Sequence, residues 1–396
     1  MKLSDRILSV KPSPTLAMQA KANALKAAGE TVFPLAAGEP DFPTPEVIRR
    51  AAVRALDEGH TGYTASAGIP ALRAAIRKVY RERQGLSFED NQVVVCCGAK
   101  QCLLNAFLSL LDQGSEAVIQ APYWVSYPEQ VRLCGGNPII LPPPKDGGQI
   151  NLPALAMAIT ARTRLIVLNS PCNPTGQVIS EEELRQVAKL AMERDVAVVS
   201  DDIYDRLMFD GRRFVSIVQL VPELASRTVL VNGVSKSFSM TGWRLGYAVG
   251  PADIIAAMRK VQDQSTSNAT TFVQHAAVTA LESPPEMVDE MVRAFEKRRN
   301  RMVELLRALP GVECPMPSGT FYAFPSFAGL LGKSFMGERI ESTQRLAELL
   351  LEQEHVATVA GEAFGAPGHI RFSFATGVDV IEAGLARVRR FIGELH

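Results

Sequence analysis

Residues 165–184 read LIVLNSPCNPTGQVISEEEL, and residues 196–204 read VAVVSDDIY. Leu165 to Leu168 is a wholly apolar run of strand length, closed by a turn rich in Pro, Asn and Gly. A helix is predicted to open at Ser180. Its hydroxyl and the Glu183 carboxylate make a capping box that satisfies free N–H groups of the first turn. Val196 to Val199 is a second such run. Val93-Val94-Val95, ahead of a helix predicted over 100–111, and Val229-Leu230-Val231 are two more. Strands that are apolar throughout and alternate with helices predict a mostly parallel sheet covered on both faces, an α/β fold.

This block spans 45–285 and is expected to be a large domain. The tail, 286–396, changes pattern: a long charged amphipathic helix over 286–309, strand-like Phe321 to Phe324, a helix near 342–354, an extended His369 to Phe374 and a last helix. That order predicts a smaller α+β domain. Pro12, Pro14, Pro40, Pro43 and Pro45 break the N-terminal 45 residues; residues 1–44 form an arm with one helix, about 16–28, expected to contribute part of the smaller domain.

The 396 residues carry 47% hydrophobic and 21% charged side chains, which excludes general disorder. Lys+Arg and Asp+Glu both number 42, so no basic excess points to nucleic acid or a membrane surface. Six cysteines form no C-x-x-C pair and five histidines are scattered, so zinc-ligand spacing is absent and no metal is expected. No apolar run has the length of a signal peptide or a membrane span, and the expected location is the cytoplasm.

Ligands of open α/β sheets bind at the carboxyl ends of strands. Here those ends offer Gly98-Ala99-Lys100 at a helix start, Asn169 to Gly176, Asp201-Asp202-Ile203-Tyr204, and Asn232-Gly233-Val234-Ser235-Lys236. The helix start exposes backbone N–H groups suited to phosphate, although an ordinary cap reads the same way. Lys100 in the first turn opposes the helix dipole, so it calls for an anionic partner or solvent. Asp201 ends an apolar strand, where desolvation raises its pKa unless a cation faces it. Asp202 is expected to be a surface loop carboxylate. A lone Lys is usually a solvated charge, yet Lys236 at a buried strand end is a candidate Schiff-base amine. Arg244 offers a bidentate phosphate contact or a surface ion pair. Arg371 in Ile370-Arg371-Phe372-Ser373-Phe374 faces away from the apolar side, toward either a cleft or solvent. The Walker and nucleophile-elbow patterns are absent around Ser235-Lys236-Ser237.

The motifs Ala37 to Phe42, Tyr63 with Gly68-Ile69-Pro70, Pro122-Tyr123-Trp124, Asn169 to Gly176, Ser200 to Tyr204, Ser235-Lys236 through Tyr247, and Arg371 together resemble the pyridoxal-phosphate (PLP) aminotransferases of fold type I. The likeness is to the bacterial type of aspartate aminotransferase and runs nearly end to end. It implies a seven-stranded, mostly parallel sheet and a homodimer with shared active sites. It also implies that Lys236 is the Schiff-base lysine and Asp201 the carboxylate opposite the pyridine nitrogen. Tyr204 and Asn173 then match the partners of the ring O3′, and Trp124 the stacking aromatic. Gly98, Ala99 and Lys100 with Ser235 and Arg244 match the phosphate cup. Tyr63 matches the tyrosine that reaches a neighbouring subunit's phosphate. Arg371 matches the α-carboxylate clamp with Gly38 beside it, while Trp124 and Asn173 also border substrate. Lys100, helped by Ser13 and Thr15, matches the group that binds a distal carboxylate.

Two departures stand out. Gly233 occupies a position where many relatives carry a phosphate-binding Ser. Val261 to Asn268 contains no Arg to reach a substrate of the neighbouring subunit. The expected reaction is ping-pong amino transfer between an L-amino acid and a 2-oxo acid, with aspartate and 2-oxoglutarate favoured. The alternatives are an aminotransferase for aromatic amino acids, alanine or prephenate, or a β-lyase on the same fold. A non-catalytic binding domain would be expected to have lost Lys236, and a nucleotide-dependent enzyme to carry a glycine fingerprint.

Overall fold

A computed structural model describes residues 2–144 and 147–396. Its centre is a seven-stranded sheet. The strands are β1 (Val93–Cys96), β2 (Glu116–Gln120), β3 (Asn137–Leu141), β4 (Thr163–Asn169), β5 (Ala197–Asp201), β6 (Thr228–Gly233) and β7 (Gly246–Val249). Their order is β1-β7-β6-β5-β4-β2-β3. Every pairing is parallel except the two made by β7, which runs antiparallel to β1 and β6.

Alternation along the strands explains why they read as continuously apolar. Val93, Val95, Ile166, Leu168, Val198 and Leu230 pack into one core. Val94, Leu165, Val167, Val199, Val229 and Val231 pack into another on the opposite face. The helix Glu181–Glu193 covers the first face with Leu184, Val187, Ala188 and Ala191. The helix Ala99–Leu110 covers the second with Cys102, Leu103, Ala106 and Phe107. Ser180 does cap its helix: its hydroxyl accepts from the Glu183 N–H at 3.2 Å, and the Glu183 carboxylate accepts from the Ser180 N–H at 2.9 Å.

The four predicted strands are present. β2, β3 and β7 lacked a readable apolar run because each is mixed. Glu116 begins β2, β3 lies at the sheet edge with exposed positions, and β7 opens on Gly246.

The C-terminal part holds the long helix Glu286–Arg307, helices Thr343–Glu354 and Val378–Gly393, and a three-stranded antiparallel sheet with Ile370–Ser373 between Val359–Ala360 and Tyr322–Ala323. The strand expected over 321–324 is therefore only two residues long. The N-terminal helix Pro14–Ala27, capped by Ser13, joins this part: Met18 and Ala22 pack with Ala347, Leu351, Val359 and Phe364. Backbone bonds from Phe33 to His355 and Ala357 and from Leu35 to Ser373 extend the connection. No helix among the described residues is long and apolar enough to cross a membrane.

Candidate active site

The carboxyl ends of β4, β5 and β6 open into a cleft of about 690 Å³ that also meets the N-terminal arm and the strand Ile370–Ser373. Asp201, the last residue of β5, is 4% exposed and lies at the cleft's inner wall. Its Oδ2 accepts a 2.7 Å hydrogen bond from the Tyr127 hydroxyl. Burial pushes the carboxyl up to about 6, opposed by that hydrogen bond, the Ile203 N–H and the charge of Lys236. Asn169, the last residue of β4, braces the same point. Its amide donates to the Asp201 carbonyl at 2.9 Å and accepts from the Asn173 N–H at 2.9 Å.

Lys236 follows β6, and its Nζ donates to the Gly38 carbonyl of the arm at 2.6 Å. Burial brings its pKa down to about 8; Glu39 opposes the fall, whereas Arg371 and Arg244 add to it. About a tenth of such a lysine is neutral at pH 7, over a hundred times the share of an ordinary lysine, and the neutral form is what an amine nucleophile requires.

At the other end of the cleft, Gly98 caps the helix Ala99–Leu110, and Ala99 and Lys100 line the wall with Ser235 and Arg244. Arg244 stands in the left-handed region at φ 55, and its guanidinium lies against Gly98. A Cβ on Gly98 would come within 2.7 Å of Nη2, the mobile end of a long side chain; the firmer demand for glycine is the backbone of this helix cap, at φ +90. Gly246 is equally constrained, because a Cβ there would run into the Ala99 N–H.

Trp124 meets the ring of Tyr127 edge-on at 5.3 Å and carries the Lys100 ammonium 4.9 Å from its centroid. Burial, reinforced by Arg244, lowers the Lys100 pKa. The Tyr204 hydroxyl sits 3.3 Å from that of Tyr322, and burial raises its pKa well above the usual value.

Arg371 faces the cleft rather than bulk solvent: it is 3% exposed and lies over the Tyr322 ring at 4.3 Å. Nη1 donates to the Asn173 amide oxygen at 2.9 Å and Nη2 to the Ala36 carbonyl at 3.0 Å, while the buried Nε has no protein partner. An unspent N–H on a buried guanidinium at a cleft wall suits an incoming anion.

Thr15 lines the cleft. Ser13 lies in the neighbouring groove, which also touches Lys100 and Arg244, and is 2.9 Å from Thr15 through their hydroxyls. Tyr63 is not in this cleft; its ring is 94% exposed at the surface.

The expectation for Asp202 fails. It is 1% exposed, accepts from the Ser200 hydroxyl at 2.6 Å, and burial raises its pKa well above the usual value. Consecutive residues at a strand end point to opposite faces, and both faces of this sheet are covered. Glu39 and Thr241, bonded at 2.6 Å, also border the cleft without having been singled out.

A family model for class I and II aminotransferases matches residues 30–387. The aspartate aminotransferase of Geobacillus stearothermophilus is 46% identical over 396 residues, covering 99% of each chain. A probable aspartate/prephenate aminotransferase of Aquifex aeolicus is 42% identical, again covering 99% of each. Among solved structures, the aspartate aminotransferase of Rhizobium meliloti superposes with a TM-score of 0.97 at 41% identity, covering 100% of both chains. That of Thermus thermophilus with maleate gives 0.91 at 40% identity, covering 99% of this chain and 100% of the other. With a mostly parallel seven-stranded sheet and a cleft built from the predicted strand ends, the chain belongs to the class I and II aminotransferases, enzymes of fold type I that work with PLP.

Proposed function

We propose that this aminotransferase exchanges the amino group of L-aspartate with 2-oxoglutarate. The observation that carries the reading is a pair of cations on separate elements of one cleft, Arg371 on the strand Ile370–Ser373 and Lys100 on the helix Ala99–Leu110. Two cations suit a substrate with two carboxylates.

The donor set fits PLP. One end of the cleft supplies a helix N-terminus with Ser235 and Arg244, suited to a phosphate. The other end supplies the buried Asp201 carboxyl, which a protonated ring nitrogen would neutralise. Trp124 and Ile203 offer flat apolar surface between them. Lys236 would hold the cofactor through its amine. When bound, PLP supplies an electron sink for the charge that develops as the substrate Cα–H bond breaks.

The residues do the rest. Arg371 orients the α-carboxylate, and Asn173 fixes the guanidinium. With its amine free, Lys236 would take the proton from Cα and return it to the acceptor atom, and the depressed pKa would keep that amine able to accept. Asp201 would supply the negative charge that keeps the ring nitrogen protonated, and Tyr204 with Asn173, on the same cleft wall, would hydrogen-bond the ring oxygen. Lys100, helped by Ser13 and Thr15, binds the distal carboxylate. Tyr63 reaches the phosphate bound by a second subunit, so the working unit is a homodimer, placed in the cytoplasm. The domain boundaries that go with this reading fall at 44/45 and 285/286.

One observation favours a second substrate. Leu16 is 68% exposed and lines the same cleft beside Thr15, an apolar contact suited to a ring-bearing substrate such as prephenate. The test is a panel of amino donors offered to the purified holoenzyme. The reading expects aspartate to lead, with alanine far behind. Equal rates with both would overturn the dicarboxylate assignment.

A further inference from the structure

Tyr63 stands free, but its two chain neighbours do not. The Gly62 carbonyl accepts a 2.6 Å hydrogen bond from the Thr271 hydroxyl, and the Thr64 hydroxyl accepts one of 3.1 Å from the Gln274 amide. Both donors lie on the helix Thr271–Glu282, one turn apart. Gln274 is fully buried, and the rest of its amide is also spent on local backbone. It accepts from the Ile69 N–H at 2.7 Å and donates to the Ala269 carbonyl at 2.7 Å.

A second fully buried glutamine continues the grip. Gln262 donates to the Ser66 carbonyl at 2.6 Å and to the Val95 carbonyl of β1 at 2.8 Å, and accepts from Asn105 at 3.2 Å. Just before Gly62, the His60 ring stacks on His275 of the same helix at 4.1 Å. Burying two primary amides in full is costly unless every N–H and carbonyl is used, and here each one is.

We propose that Thr271 and Gln274 are positioning residues for Tyr63: they hold residues 62 and 64, and so fix the backbone from which the Tyr63 side chain leaves toward a second subunit. The inference rests on the reading that Tyr63 completes the partner's phosphate site. Without this grip the backbone that carries the ring would itself be mobile, and each dimer would bear the added entropy of ordering that segment.

The test follows the rate at which diluted holoenzyme loses the absorbance of bound PLP, with dimer content checked by sedimentation. Tyr63→Phe is expected to speed that loss about tenfold, as for a hydrogen bond to a charged group. Thr271→Val, nearly isosteric, is expected to speed it about fivefold, with Thr271→Ser restoring the original rate. Gln274→Met, if it folds, is expected to exceed Thr271→Val. The double variant Tyr63→Phe/Thr271→Val should lose PLP no faster than Tyr63→Phe alone, because residues that act through one another are not additive.

If Tyr63→Phe changes nothing, the Tyr63 reading falls and this proposal falls with it. If Tyr63→Phe acts while Thr271→Val does not, or if the two effects multiply, the positioning role is overturned and the Tyr63 reading stands.

Discussion

The Tyr127 hydroxyl donates to Asp201 Oδ2 at 2.7 Å, and both side chains are almost wholly buried. The bond favours the charged carboxylate, and so works against the burial that pushes the pKa up to about 6. Tyr127→Phe removes the donor without changing the ring. The Asp201 pKa should then rise further, moving the acidic limb of the pH profile of kcat/KM to higher pH. At neutral pH kcat/KM should fall about tenfold, the scale of one hydrogen bond to a charged group. A pH–rate profile of the two proteins checks both effects. An unmoved acidic limb would mean that Tyr127 does not tune Asp201.

Asp201 should trade stability for function. Its folded pKa of about 6 lies above the value of an unfolded aspartate, so the fold favours the neutral form. In the cofactor-free protein, stability from this group is fully present at low pH and is lost as pH rises through about 6. Asp201→Asn removes the burden. The cofactor-free variant should be more stable than the parent at pH 8, by roughly 2–3 kcal/mol at most, with the gain gone below pH 4. Its transamination rate should fall by about two orders of magnitude or more, because the buried charge is missing. Thermal melts at the two pH values, set beside kcat, test the opposition.

The cleft was readable in the sequence because its residues follow strands that are apolar on both faces, which marks where Asp201, Asn173 and Lys236 stand. Tyr127 escaped because it lies on the helix Ser126–Leu133, where a buried aromatic reads as ordinary core. Trp124 precedes the helix, and the turn that joins them, closed by the Tyr127 N–H on the Trp124 carbonyl at 3.1 Å, is what brings the two rings together. Asp202 misled for a different reason: a carboxylate after a strand is usually a solvated cap, and only the covered second face makes it internal. β2 and β3 were hidden by Glu116 and by the exposed edge, where tertiary pairing overrides a mixed local pattern.

Capture of PLP by the cofactor-free protein should follow the ionisation of Lys236. Its pKa is brought down to about 8, and only the neutral amine attacks an aldehyde. The capture rate should climb about tenfold per pH unit below 8 and level off above it, as titration of a single group requires. Stopped-flow absorbance gives the profile, and borohydride should fix the cofactor to Lys236 alone. Lys236→Ala should take no label and show no transamination. A capture rate still climbing toward pH 10 would show an amine with an ordinary pKa.

Lys100 carries the substrate assignment and can be separated from folding. Its ammonium lies over Trp124 at 4.9 Å, and burial with Arg244 nearby lowers its pKa, so a negative partner is favourable there. Lys100→Met keeps the apolar stem and the helix while removing the charge. Lys100 is exposed at the edge of the cleft, so an ion pair lost there costs on the order of 1–2 kcal/mol, and kcat/KM for aspartate should fall by roughly 5–30-fold. For alanine or phenylalanine, which bring no second carboxylate, the change should stay within about threefold, since the lost group made no ion pair with them. The contrast between the substrates is what matters. Parallel losses would place Lys100 with the phosphate alone and leave the distal carboxylate to another group.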